Sequence, residues 1–432
     1  MTRRGARAAG HRPFYGWKLV IALWLIMAAN LALPMYGLSF LNVHMADEYH
    51  FSRTTLGLAY SIFMVMTGLP GPLVAKLIDR VGIRWTLVIG NLLLIGGAAA
   101  MATIVATPLM LFLVCGLVIG VSDAVGGPIP AQAAITFWFV RKRSLALALI
   151  LSGGTIGSMI CAPILEHAIA VTHQDWRFGW WIIAAGGLGA VVVSLLFVHD
   201  RPEDLGQEAD GQPVSATAVE EARPASRVYV TAENWKFGEV LRSPAFWLVM
   251  ACAAGFSAAF AIFLGDGVLQ IRDLGYSTET AAYLLSAAVA IGLVAHMLTG
   301  ILGDRIDPKY LWVVAILCQA SGIGLFAHAS NPWLLYVSIT CLGIGGSSCM
   351  VCMVTMLGNW FGPATYASVF GLASAVQSTL GALAPVIAGY WYDHTGSFAA
   401  VFHVNAIACA AGALILFFLR PPARPRVAPA YA

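Results

Sequence analysis

Two titratable side chains stand alone inside long apolar runs. Asp123 lies in GVSDAVGGPIPAQ and His296 in AAVAIGLVAHMLTGILGD. A carboxyl held in a low-dielectric run has its neutral form favoured, and a histidine titrates in the physiological range, so both are candidates for binding and releasing protons near neutral pH; Asp123 is also a candidate contact for a cationic substrate group. The competing reading for each is a structural side chain hydrogen-bonded to a neighbouring helix. Asp123 falls about 15 residues into its run, near the middle of a membrane span at ~1.5 Å per residue. Gly126-Gly127, Pro128 and Pro130 follow it and would loosen the helix, freeing carbonyls as cavity-lining helices do. Asn30, Tyr36, Asn91, Gln132 and Asn405 also interrupt apolar runs. They either face a cavity or form interhelical hydrogen bonds, worth about 0.6 kcal/mol each in membrane proteins.

A second kind of motif is charged and duplicated. GPLVAKLIDRVGIRW at 71–85 contains Asp79-Arg80 and Arg84, and GILGDRIDPK at 300–309 contains Asp304-Arg305. The two Asp-Arg pairs lie 304 − 79 = 225 residues apart in a chain of 432, so the repeat is half the protein. A short charged turn between hydrophobic helices, recurring once per half, points to two homologous bundles with a site at their interface.

These residues need spans to position them. The chain is 59% hydrophobic and 10% charged, against roughly 25% charged in a soluble chain. Apolar runs of the length a bilayer core demands recur throughout. Twelve spans are expected, near 17–41, 55–77, 85–106, 109–139, 144–167, 178–198, 245–270, 279–302, 310–329, 333–357, 365–391 and 398–419. The expectation is an all-α membrane protein with an N-terminal six-helix bundle at 1–198, a polar linker at 199–243 with a disordered middle, and a C-terminal bundle at 244–432. On this map 21 of the 24 Lys and Arg residues fall on one side, all but Arg53, Arg177 and Arg272. That bias places both termini and the linker in the cytoplasm. The eight cysteines sit inside spans, which excludes a disulfide framework. Cys349 and Cys352 read as small-residue packing.

Several further stretches carry a resemblance. They are FYGW at 14–17, YGLSF at 36–40, the 71–85 turn, WFVRKRSLALALILSGGTIG at 138–157, DRPEDLG at 200–206 and FGLASAVQSTLGALAPVIAGYWYDHTG at 370–396. Over almost its whole length the chain resembles a major facilitator superfamily transporter, and is similar to the branch holding oxalate:formate exchangers and monocarboxylate transporters. The resemblance implies two six-helix bundles around a central cavity and transport by alternating access. It implies that Asp79, Arg80 and Arg84, with Asp304 and Arg305, latch the cytoplasmic ends of the bundles. It also places His296 where the resembling carboxylate transporters carry a substrate-binding arginine, and Gln377 where oxalate exchangers carry a lysine. Neither departure leaves a permanent cation, which argues against a dianion such as oxalate.

The expected function is therefore secondary active transport of a small organic acid, a monocarboxylate or aromatic acid, coupled to protons through Asp123 or His296. Asn30, Tyr36, Gln132 and Gln377 are the further binding candidates. An exporter of amphipathic or drug-like compounds is the alternative. A membrane enzyme is the remote one, since no paired acid/base or nucleophile motif is present. No metal site, cofactor or nucleotide loop is legible. The expected partners are substrate, protons and the lipid bilayer, without nucleic acid, in a monomer of the inner cell membrane.

Overall fold

The computed structural model describes residues 13–172, 175–211, 228–231, 233, 235–329 and 331–422. Among them there is no strand. The spans are α1 (Gly16–Met27, continuing through Ala28–Ala32 into Leu33–Tyr49), α2 (Arg53–Met66, resuming at Gly71), α3 (83–103), α4 (Pro108–Trp138), α5 (Arg143–Val171) and α6 (Arg177–Phe197). The second half holds α7 (Pro244–Asp273), α8 (Thr278–Gly303), α9 (Pro308–Phe326), α10 (Pro332–Phe361), α11 (Pro363–Thr395) and α12 (Ala399–Phe418). Side chains facing outward are apolar, among them Leu73, Val171, Val404, Ile407 and Phe418, as lipid contact requires. Trp333 and Tyr390 stand exposed near span ends, where aromatic rings favour the membrane–water interface.

The α2–α3 turn shows how tightly the chain is drawn. One helical run, Gly71–Thr103, is broken at Gly82, which has φ 85° and ψ 171°. Only glycine adopts that conformation readily. A side chain there would also meet the Asp200 carboxylate, which accepts a hydrogen bond from the Arg84 backbone N–H at 2.8 Å. Asp200 thus neutralises the positive end of α3. Eleven helices among the described residues are long and apolar enough to span a bilayer; with Gly71–Thr103 divided at Gly82 and its first part joined to Arg53–Met66, they make up the twelve spans that the sequence predicts.

Two spans depart from the expected continuous helices. In α2 the helix stops at Met66 and a turn over 67–70 follows. Pro70 supplies no N–H to continue the ladder. The turn brings Gly68 and Gly71 against α11: a Cβ on Gly68 would lie 2.2 Å from the Ser374 carbonyl oxygen, and one on Gly71 2.1 Å from that of Gly371. In α4, Pro108–Leu111 runs into a π-helical stretch at Phe112–Ile119, and the helix breaks at Gly127 (φ −123°, ψ −121°) before resuming at Pro128. The connection from α6 to α7 is ordered at both ends, with short turns at Pro202–Leu205 and Ala209–Gly211 and a helix at Phe237–Arg242. The middle of the linker expected to be disordered, 212–227, lies outside the described residues.

Alternate crossing of twelve spans puts the start of α1, the α6–α7 connection and the end of α12 on one side, called here the linker side. The halves meet there. The packing between them runs through α5 against α8, α2 and α4 against α11, and α5 against α10. Gly71→Ala should oppose this closure, because its Cβ has only the Gly371 backbone to meet. Overpacking of this kind costs about 1–3 kcal/mol, so spin-label distances between the linker-side ends of α5 and α8 should lengthen in the variant.

Candidate functional site

The break in α4 decides the surroundings of Asp123. Stopping the helix at Gly126 orphans its last carbonyls. Pro128 and Pro130 open the second segment, where N–H groups would have gone unpaired in any case. One orphan finds a partner outside the helix: the Asn91 side-chain amide of α3 donates to the Gly126 carbonyl at 3.2 Å and to Leu87 O at 2.8 Å. The Asn91 carbonyl oxygen in turn accepts from Asn30 Nδ2 of α1 at 3.1 Å. Asn30 and Asn91 are both fully buried, and this relay joins α1, α3 and α4.

Asp123 sits beside that relay and is 2% exposed. Its Oδ1 has no hydrogen-bond partner among the described residues, and neither has Asn30 Oδ1. Both oxygens approach the bare face of Gly127: a Cβ there would lie 2.7 Å from Asn30 Oδ1 and 3.5 Å from Asp123 Oδ1. Both oxygens are acceptors, and both residues are buried. The structure therefore brings Asp123 and Asn30 together.

Other candidates lie elsewhere. His296 Nε2 donates to the Ala148 carbonyl of α5 at 3.1 Å, across the seam between the halves. Gln132 of α4 also spans the seam, its Oε1 accepting from the Tyr366 hydroxyl of α11 at 2.9 Å while its Nε2 has no partner. Gln377 stays within the second half, half-buried against Met353 Sδ. Tyr36 lies on α1, with its side chain outside the described residues.

Of the five charged-turn residues, only Asp304 bridges the halves. Its carboxylate accepts the backbone N–H groups of Ser144 at 2.9 Å and Leu145 at 3.4 Å, at the N-terminus of α5. Asp79, Arg80 and Arg305 are exposed. Arg84 is held within its own half, donating to Val198 O and touching His199 Nδ1 at 3.1 Å. Sequence reasoning missed Arg143 and Asn359, whose side chains meet across the seam at 2.8 Å. Arg143 had registered only as part of a basic R-K-R run. The signal available was its place at the very start of an apolar helix. An apolar groove of about 470 Å³ lies between α5 and α6, lined by Pro163, Ile164, His167 and Phe178; it holds none of these polar groups.

Two measurements follow from this geometry. Asn91→Ala strands the Gly126 carbonyl and the Asn30 amide, and a buried group so stranded costs about 1–3 kcal/mol; thermal unfolding should show a lowered midpoint. Asp304 stands beyond the end of α8, and burial pushes its carboxyl up to about 7 from 3.8, against the pull of two backbone N–H groups. A raised value means that the sealed seam favours the protonated acid. Its contribution to sealing is complete below about pH 4, where both states are protonated, and is lost as pH rises through 7. The sealed population, followed by spin-label distance, should fall between about pH 4 and 7, and Asp304→Asn should flatten that dependence.

A family model described as Major Facilitator Superfamily matches residues 19–322 and 267–431. Over 408 residues the chain is 24% identical to "Monocarboxylate transporter 13" of Bos taurus, covering 94% of this chain and 89% of the relative. It is also 24% identical over 392 residues to "Probable sulfoacetate transporter SauU" of Cupriavidus necator, covering 87% of both chains. In fold it is similar to the proton:xylose symporter XylE, with a TM-score of 0.72 and 16% identity over 93% of this chain and 95% of that one. The family match spans both bundles, and the chain therefore belongs to the Major Facilitator Superfamily: it is a membrane transporter, not an enzyme.

Proposed function

We propose that this transporter moves a small organic acid, a monocarboxylate or an aromatic acid, by alternating access, with proton coupling through Asp123. The observation that carries the coupling is the pair of unpartnered buried oxygens, Asp123 Oδ1 and Asn30 Oδ1, converging on Gly127. One proton on Asp123 would satisfy both, by donation from the carboxyl to the amide oxygen. A low-dielectric site makes an unpaired carboxylate costly and a neutral acid acceptable. The small-acid class is supported by the relatives, two of which are named for small acids, one of them for monocarboxylates. The absence of a permanent cation at positions 296 and 377 supports a single negative charge over two.

On this reading the seam is the closed gate of one access state. His296, Gln132 and Asp304 hold it through Ala148, Tyr366 and the α5 N-terminus. Of the expected latch residues Asp304 reaches across this closed seam, while Asp79, Arg80 and Arg305 stand exposed and Arg84 braces α3 against the end of α6. The chain is read as a bundle at 1–198, a linker at 199–243 and a bundle at 244–432. The 21-to-3 distribution of basic residues supports both termini in the cytoplasm, and the protein is read as a monomer of the inner cell membrane.

The test is uptake into proteoliposomes with and without an imposed pH gradient. Wild-type protein should accumulate a monocarboxylate only with the gradient. Asp123→Asn should lower gradient-driven uptake at least tenfold while leaving exchange across equal pH. His296→Ala should slow both without removing pH dependence. Unchanged pH dependence in Asp123→Asn at matched protein levels would overturn the coupling assignment.

A further inference from the structure

Arg143 carries a permanent positive charge into the seam. It is 2% exposed and among the largest fully buried side chains. Its Nε donates to Phe139 O at 3.0 Å, Nη2 to Thr136 O at 3.2 Å and Nη1 to Asn359 Oδ1 at 2.8 Å. All three acceptors are neutral dipoles. The guanidinium fork has five N–H groups, so its capacity is unfilled. Asp304 and Asp210 act on it from a distance, but their oxygens are committed to backbone N–H groups, Asp304 to Ser144 and Leu145, Asp210 to Val140 and Arg141. Arg143 makes no ion pair among the described residues.

A buried cation without an anion is costly, and charges inside membrane spans persist where they serve function. Two of its three acceptors belong to its own half and one to the other. When the halves part, Asn359 leaves with α10, while Phe139 O and Thr136 O keep the guanidinium in place on α4 and α5. The Nη donors then face the opened path, at its linker side.

We propose that Arg143 is an anion-binding residue of the transport path, taking a substrate carboxylate or sulfonate in paired hydrogen bonds when the seam opens on the linker side. This rests on the reading of the substrate as a small organic anion. It supplies the permanent cation that positions 296 and 377 lack. Arginine fits the task because its planar fork matches the two oxygens of a carboxylate, which a lysine ammonium does not. In the sealed state Asn359 Oδ1 stands in for the substrate oxygen, so substrate binding and gate closure compete for the same N–H group.

The test compares Arg143→Gln, Arg143→Lys and Asn359→Ala in proteoliposomes, with lactate, benzoate and sulfoacetate as probes offered from either face. Asn359→Ala removes the same bond across the seam but keeps the cation, so it reports a purely gating role. Arg143→Gln should raise KM from the linker face at least tenfold and from the opposite face less than twofold; Arg143→Lys should fall between. Asn359→Ala should change kcat with KM nearly constant. Equal KM changes on both faces, or matching behaviour of Arg143→Gln and Asn359→Ala, would overturn the assignment. Thermal shifts in the Gly71→Ala background, which disfavours the sealed seam, separate the two levels of argument. If no probe stabilises that protein, the organic-anion reading falls and Arg143's role with it. If the probes stabilise it equally with Arg143 and with Gln at 143, only the Arg143 assignment falls. An Arg143→Gln protein too unstable to purify leaves the decision to Arg143→Lys, whose linker-face KM must then exceed the wild-type value several-fold.

Discussion

The structure depends on how two apolar bundles close on one another without a hydrophobic driving force between them. Lipid is as apolar as leucine, so contact between spans comes from close packing and from polar groups that have no better partner. The seam uses both. Gly71 and Gly371 let α2 and α11 touch backbone to backbone. Around that contact, polar groups of one half reach the other: Asp304 to the α5 N-terminus, His296 to Ala148 O, Tyr366 to Gln132 and Arg143 to Asn359. Each bond is replaceable by water once the halves part. That makes the seam a reversible closure, whereas the packed interiors of the bundles are not.

A different logic governs α4. Its break at Gly127 would be ruinous in lipid if the freed carbonyls had no donors. The bundle answers with Asn91, which reaches the Gly126 carbonyl from α3, and with Asn30, which braces Asn91 from α1. The same break turns Asp123 and Asn30 towards a common point. Helix distortion and the placement of a titratable acid are one event: the break that loosens α4 also leaves the bare Gly127 face that the Asp123 and Asn30 oxygens approach.

The electrostatics of the path are unusual in where positive charge is stored. The two positions at which the resembling carriers keep cations hold histidine and glutamine, both engaged, one with a carbonyl across the seam and the other with a thioether. The permanent charge lies instead at the start of α5, in Arg143. On the proposed reading an anion entering the path would meet a neutral middle and a cationic linker-side end, so binding would be weak where the path must turn over and stronger where it opens.

Much of this was legible in the chain. The 10% charge content and recurrent apolar runs specify a membrane bundle, because only a helix satisfies its own backbone in lipid. The 225-residue repeat of Asp-Arg shows the duplication. Asp123 and His296 stood out because a lone titratable group in an apolar run is conspicuous in one dimension. What the chain could not show is which polar groups meet, since that depends on helix rotation and on contacts 216 residues apart such as Arg143 with Asn359. Arg143 looked like one more positive charge at a helix end. Arg84 looked like part of a latch between the halves, yet the left-handed turn at Gly82 folds it onto the end of α6. Local composition determines that these helices form and where they stop. Only packing decides whether a charge at a helix end faces water, its own bundle or the opposite one.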